Sequence, residues 1–420
     1  MTAPAVLLLI PASSYRTHDF LEAAHALDLE VHVGTDQPQV LAELVPERTL
    51  VLDFGETEIS LTTISELHSR HPLRVVLGVD DESVELAAQA NQRLRIPHNS
   101  PTSVSLTRDK FRMRQCLAKA GLASPGFQRF SVASDPETLR ASIRYPCVLK
   151  PTFLAASQGV LRANAPDEFS TAFRTLQEIL ADPELRKRGG ERAKWVLVED
   201  YLPGREVSLE GVLTDGRLQT LALFDKPDPL TGPTFAETLY VAPSRLPEAV
   251  QQRIRKEVEQ TAQALGLTTG PVHAEARIHQ GKVWMLECAA RTIGGLCSRM
   301  LAFSGGMSLE TLILRHALGR DMQTAQTTSH ACGALMLPIP TDGTLHNIVG
   351  WDAVREISGV LEAVQSLPNG TTVRALPHDA RYLGFVLVRE KTPAAVEAAL
   401  RKAWTQLQIE IDKLGASKSE

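Results

Sequence analysis

The sequence predicts a multidomain chain of α/β and α+β units: a helix-flanked parallel sheet first, a strand-rich middle, and a small α+β module last. Three observations predict it. Over the first hundred residues, four short apolar runs alternate with segments of helical length, and such alternation implies a parallel sheet with helices on its faces. Between Glu206 and Cys288 strand-like runs dominate. After Cys332 the texture changes to short strands closed by one long helical segment. The expected units are 1–100, 101–330 and 331–420.

The four early runs are Val6 to Ile10, Glu30 to Val33, Leu50 to Phe54 and Val75 to Val79; Thr17 to Leu27, Ile59 to Arg70 and Glu82 to Leu94 have helical spacing. Pro97 to Pro101, rich in Pro, Asn and Ser, breaks the pattern and marks a junction. A helix is expected from Thr107, as its cap, to Ala120, with Gly121 just past its end. Pro146 to Lys150 and Lys194 to Glu199 read as strands, and Phe169 to Leu180 as a helix. The polar run Lys187 to Arg192 reads as a solvated loop. Strands Glu206 to Leu213 and Leu218 to Phe224, a helix Ala249 to Leu265, and the strand pair His273 to Ile278 and Lys282 to Cys288 follow. In the last unit Gly333 to Leu337, Val354 to Ile357, Thr372 to Ala375 and Tyr382 to Val388 are expected strands, with a helix from Pro393 to about Leu407.

Composition excludes several functions. With 420 residues, 43% hydrophobic and 22% charged, the chain can bury real cores, and 27 Gly with 25 Pro argue against fibrous or disordered classes. Val6 to Ile10 is far short of the roughly 20 residues that span a bilayer, and no basic segment precedes it, so no membrane partner or secretory route is expected. Five cysteines without Cys-x-x-Cys spacing indicate neither a zinc site nor a disulfide scaffold, which fits a cytoplasmic protein. A net charge of -5 without a basic block argues against nucleic acid as a partner.

Gly-x-Gly-x-x-Gly after the first strand, a Gly-Lys-Ser/Thr phosphate loop, His-Glu-x-x-His and Gly-x-Ser-x-Gly are all absent. The informative stretch is His273-Ala-Glu275-Ala-Arg277, then Leu286-Glu287-Cys-Ala-Ala-Arg291. Two carboxylates on adjacent strands can share a divalent cation only from one face. A three-residue loop His279-Gln280-Gly281 would pair Ile278 with Lys282 and set Glu275 diagonal to Glu287 on one face. A two-residue loop would put Glu287 opposite Ala274 and separate them, so the chemistry predicts the three-residue turn. Mg²⁺ suits such oxygen ligands; the bland alternative is a pair of exposed edge charges.

Lys150 ends an apolar strand and precedes a small-residue loop closing at Ser157-Gln158-Gly159-Val160. It can deliver a point charge to phosphate while the loop's N–H groups approach, or it can be solvated. Val196 to Glu199 runs into Asp200-Tyr-Leu202-Pro-Gly-Arg-Glu206, a turn able to offer an adenine edge, with Glu206 placed to accept from ribose hydroxyls.

Taken in order, Lys110, Pro-Cys-Val-Leu-Lys150-Pro, the loop to Val160, Val198 to Glu206 and the Glu275/Glu287 pair resemble the ATP-grasp superfamily of carboxylate–amine ligases, over about Thr107 to Arg299. The whole layout is similar to bacterial L-amino acid ligases that make dipeptides. The resemblance implies an ATP-grasp fold, with 1–100 as the domain that precedes it, about 122–198 as a small lid within 101–330, and a C-terminal α+β domain. It implies that Lys110 and Lys150 hold ATP phosphates under the loop containing Ser157 and Gly159, that Glu199 and Leu202 lie at the adenine edge and that Glu206 binds ribose. Glu275 and Glu287 would ligate Mg²⁺ or Mn²⁺, and Arg291, with Glu287, would serve the acyl phosphate and tetrahedral intermediate. A homodimer is compatible with this architecture. Ala289 departs from the family's Glu-x-Asn-x-Arg, removing one metal ligand.

Gly294-Gly295 is expected to open a helix whose N–H groups seat a substrate carboxylate, or to be a turn that needs Gly for its backbone. His273 either contacts substrate or phosphate or is a packed, hydrogen-bonded histidine. Cys288 and Cys297 read as packing residues, and Tyr15 and His18 as weak site candidates. The function expected is an ADP-forming ligase joining a small-molecule carboxylate to an amine. The alternatives are another ATP-grasp ligase or carboxylase of small-molecule metabolism, or a weakly catalytic ATP-binding regulator.

Overall fold

A computed structural model describes residues 3–37, 48–320 and 330–413. Near the N-terminus, β1 (Ala5–Leu9), β2 (Glu30–Thr35), β3 (Thr49–Val51) and β4 (Leu73–Gly78) form a parallel sheet in the order β3-β2-β1-β4. All five side chains of β1 are buried, as the central strand of a sheet covered on both faces requires. Helix Thr17–Ala26 joins β1 to β2, Thr57–Arg70 joins β3 to β4, and Val84–Leu94 follows β4, all close to the expected spans.

Ser100 caps a helix at Pro101–Thr107, so Pro101 opens an element instead of separating two. The helix expected from Thr107 is in fact two. Its second part, Lys110–Lys119, is capped by Asp109, whose carboxylate accepts from the N–H groups of Phe111 and Arg112. Asp is a stronger cap than Thr, and it wins here.

A second, antiparallel sheet contains β5 (Phe127–Ser131), β6 (Cys147–Pro151), β7 (Leu161–Ala163) and β8 (Trp195–Asp200), in the order β5-β8-β6-β7. Helix Pro166–Ile179 packs on it and contributes Phe169, Phe173 and Leu176, each fully buried. Such a burial stabilises by about 1.5–3 kcal/mol per side chain, which gives this subdomain its own core. The expected solvated loop Lys187 to Arg192 lies instead in helix Pro183–Gly189 and a 3₁₀ turn. Its charges are paired with the first unit: Lys187 with Asp53 at 3.0 Å, Arg192 with Glu85 at 2.9 Å, and Arg188 with Glu82.

The largest sheet has eight strands, built from β9 (Arg205–Thr214), β10 (Arg217–Asp225), β11 (Leu239–Ala242), β12 (Gly270–His279), β13 (Lys282–Ala289) and β14 (Ala331–Leu337), with β16 (Val360–Gln365) and β18 (Gly384–Glu390) at its far end. Its order is β13-β12-β9-β10-β11-β14-β18-β16, so one sheet runs on past residue 331. A small sheet of β15 (Gly343–Val349), β17 (Thr372–Val373) and β19 (Gln408–Asp412) completes the last unit, with helix Pro393–Gln406 against β14 and β18. Val354 to Ile357 does not form a strand. Trp351–Arg355 is a helical turn with Val354 buried, because the three-residue spacing of Val354 and Ile357 is a helical phase. Strands β15, β16 and β19 were not expected. Among the described residues no helix is long and apolar enough to cross a membrane.

Candidate active site

The floor of the cleft is one face of three paired strands. Glu206, Ser208 and Glu210 alternate along β9, and the register sets them opposite Arg277, Glu275 and His273 of β12. Period-two alternation puts all six side chains on one face. The third strand, β13, joins it in a way the loop alone does not allow.

The β12–β13 loop has two residues, Gln280 and Gly281, both at positive φ (49° and 72°), with His279 paired to Lys282. The expected three-residue loop is therefore wrong. Two central residues at positive φ form a type I′ turn, whose twist matches that of the strands. Carried onward, this register would set Leu286 opposite Glu275. A β-bulge intervenes: Ala276 pairs with Met285, Glu275 pairs with Glu287, and Leu286 is the extra residue. The two carboxylates thus lie directly opposite each other on one face, as expected, for a different reason. The bulge is anchored by the Arg114 side chain, which donates to the Leu286 carbonyl at 2.6 Å, and by the Met285 N–H, which donates to Ala123 at 2.9 Å.

At one end of the floor a pocket is lined by Lys150, Val160, Glu199, Leu202, Glu206 and Phe235, among others. Lys150 is buried at the end of β6 and lies 2.5 Å from Glu199, which also accepts from Arg114 at 2.6 Å. Burial lowers the Lys150 pKa against the pull of Glu199, whereas Glu199 is held below its ordinary value, against its own burial, by Arg114 and Lys150. Lys150 is thus neither solvated nor free. Glu206 accepts from Arg277 and pairs with Lys226, each at 2.8 Å, and Arg277 also donates to the Leu202 carbonyl at 2.6 Å. Lys226 is the center of a buried cluster, contacting Glu206, Glu237 and Glu275. Burial works against its charge, but three carboxylates raise its pKa well above the ordinary value.

The loop after β6 folds over this region. Ala156, Ser157 and Gly159 have φ of 50°, 59° and 71°, and the turns they make bond the N–H groups of Gln158 and Val160 to the Ala155 and Ser157 carbonyls. A side chain at Gly159 would strike Pro151, and its N–H donates to Pro377 of the last unit at 2.9 Å. Lys110 reaches beneath the loop, donating to the Leu154 carbonyl at 2.8 Å and pairing with Glu287 at 3.2 Å.

A second pocket, at the other end, is lined by Tyr15, Lys110, Ser157, Glu237, His273 and Arg291, with Gly294, Gly295 and Tyr382. Both pockets include Glu275 and Glu287. His273 is buried; although burial opposes its charge, contact with Glu210 at 3.1 Å and with Glu275 raises its pKa to about 9, making it an imidazolium at neutral pH. Arg291 pairs with Asp81 at 2.7 Å and donates to the Thr292 carbonyl. Gly294-Gly295 does not open an α-helix: only a 3₁₀ turn, Cys297–Met300, follows. Gly295, at φ 62°, packs where a Cβ would meet the Phe385 ring, so the turn reading holds. The Cys288 thiol is buried and pushed up to about 12, as befits a packing residue. His18 is exposed and not among the lining residues.

Each carboxylate commits one oxygen to a lysine, Glu275 to Lys226 and Glu287 to Lys110, and the remaining hard oxygens suit a divalent cation. Ala289, buried opposite His273, supplies none. Sequence reasoning missed Asp81, Arg114, Glu210, Lys226, Glu237 and Arg277. Two had a signal: Arg114 lies four residues after Lys110 on one helix, and Glu210 continues the alternation from Glu206.

Known proteins share this architecture. Residues 21–98 match the model of the ATP-grasp N-terminal domain, 143–300 that of the ATP-grasp domain, and 335–412 that of the L-amino acid ligase C-terminal domain 2. Alanine--anticapsin ligase of Bacillus subtilis (strain 168) is 30% identical over 224 residues, 49% of this chain and 46% of the relative. Carnosine synthase 1 of Gallus gallus is 29% identical over 306 residues, 70% of this chain and 33% of the relative. The chain thus spans about half or less of the length of these two. The crystal structure of L-amino acid ligase from Bacillus licheniformis superposes with a TM-score of 0.84 at 24% identity, covering 98% of this chain and 100% of that one. By three models matched in sequence order, the chain carries an ATP-grasp N-terminal domain, an ATP-grasp domain and an L-amino acid ligase C-terminal domain 2.

Proposed function

We propose that this protein is an ATP-dependent carboxylate–amine ligase that joins amino acids or related compounds and releases ADP and phosphate. The observation that carries this is the shared wall: Glu275 and Glu287 stand between a pocket of nucleotide-binding character and one lined by His273 and Arg291. A substrate carboxylate in the second pocket therefore sits next to the terminal phosphate of a nucleotide in the first.

In this reading a carboxylate oxygen attacks the γ-phosphorus, the bond to ADP breaks, and an acyl phosphate forms. The amine nitrogen then adds to the acyl carbon and loses a proton, and inorganic phosphate leaves. Lys110 and Lys150 neutralise phosphate oxygens, the loop with Ser157 and Gly159 covers them, and Glu206 accepts from ribose beside Leu202. Positioned charge is what a protein contributes most to phosphoryl transfer. Glu275 and Glu287 would hold Mg²⁺, or Mn²⁺, which neutralises charge on the β- and γ-phosphates. Arg291 and the His273 imidazolium face the oxyanion of the addition step, and the turn at Gly294 and Gly295 leaves room for substrate.

The test is a coupled assay for ADP and AMP with Mg²⁺ over pairs of amino acids, with mass detection of products. ADP, phosphate and one amide bond per ATP are expected. AMP and pyrophosphate would reject the acyl phosphate. Ala289 favours one other reading, a weakly catalytic ATP-binding regulator, and phosphate release that no amino acid pair stimulates would select it.

A further inference from the structure

Asp81 lies in the turn between β4 and helix Val84–Leu94, far in sequence from the cleft floor, yet its carboxylate is almost enclosed there. One oxygen is 2.7 Å from Nη2 of Arg291; the other is 2.7 Å from Nη1 of Arg108, whose Nη2 donates to the Phe153 carbonyl at 3.2 Å. Arg291 is held at its other terminal nitrogen by the Thr292 carbonyl, 2.9 Å away. A guanidinium on a flexible stem is thereby fixed at both ends of its fork, with the remaining N–H groups left to the pocket it lines.

We propose that Asp81 is a positioning residue that fixes the Arg291 guanidinium for addition of the amine to the acyl phosphate, a role that rests on the ligase reading above. Each of its oxygens stands at ion-pair distance from a guanidinium. Burial raises its pKa, but Arg108 and Arg291 together hold it well below the usual carboxylate range. The N-terminal unit, which supplies no residue to the nucleotide pocket among those described, thus reaches Arg291 through this carboxylate. Arg108, whose other terminal nitrogen is held by the Phe153 carbonyl, braces that carboxylate from the side away from Arg291.

The experiment is a double-mutant cycle of Asp81→Asn and Arg291→Ala in the full chain, with turnover and KM measured for ATP and both amino acids. Asp81→Asn alone should lower kcat on the order of 10- to 100-fold, as a misplaced catalytic group does, with KM for ATP unchanged. In the Arg291→Ala background it should cost nothing further, because the group it positions is gone. An equal loss in both backgrounds, an effect on KM for ATP alone, or full activity of Asp81→Asn would overturn the proposal. Should Asp81→Asn fail to fold, Asp81→Glu, which keeps the charge and moves it by one methylene, enters the same cycle with the same expectations. An unsubstituted chain that no amino acid pair stimulates would remove the ligase reading, and this role with it.

Discussion

The two ends of the cleft share Glu275 and Glu287 but are assembled differently. The nucleotide end comes from neighbouring strand ends and turns, β6, β8 and β9 with the Lys110–Lys119 helix, and its cations are matched locally: Lys150 and Arg114 by Glu199, Arg277 and Lys226 by Glu206. The substrate end converges from the whole chain: Tyr15 and Asp81 from the first unit, Ser157 from the loop, His273 and Arg291 from the floor, Tyr382 from the last unit. Nucleotide chemistry therefore sits in contiguous motifs, whereas the choice of substrate sits in tertiary convergence. A reader of motifs can name the nucleotide and still not name the substrates.

If the ends are separate, substitutions should divide cleanly between them. Arg291→Ala is expected to depress turnover by about two to three orders of magnitude, as loss of an oxyanion donor does, with ATP binding by calorimetry little altered. Equal losses in both would merge the two ends. Lys150→Ala should weaken ATP binding by about 1.5–3 kcal/mol, roughly ten- to a hundredfold, without unfolding the chain; unchanged binding would mean that its pairing with Glu199 is purely structural. Ala289→Asn restores an oxygen ligand at the shared wall and should lower the Mg²⁺ concentration for half-maximal activity severalfold. No change, or a rise, would show that another group already serves. The smallest effect is expected in the β5–β8 subdomain, where Lys187→Asp should bring only a slight rise in KM for ATP, one that fades with added salt and is reversed by Asp53→Lys.

Much of the fold was visible in local patterns, because apolar periodicity reports burial directly. The four strands and three helices of the first unit lie within a few residues of where alternation put them. Two of the errors have a common cause. The Lys187 to Arg192 run found carboxylates in another unit, and Asp81 met Arg291 only through the fold. Partners distant in sequence leave no local trace. The shared-face reading of Glu275 and Glu287 succeeded through chemistry and not geometry, since the loop length used to justify it was wrong.

That bulge sets how the site tolerates change in length. Inserting one residue between Lys282 and Glu287, beyond the single one that the bulge absorbs, would set Leu286 opposite Glu275 and turn Glu287 to the other face, opposite Ala274. Every functional residue would still be present in the alignment of such a chain, and the wall of paired carboxylates would be gone. A homologue is therefore better judged competent by the count of residues between its hairpin turn and its second glutamate than by the presence of the glutamates themselves.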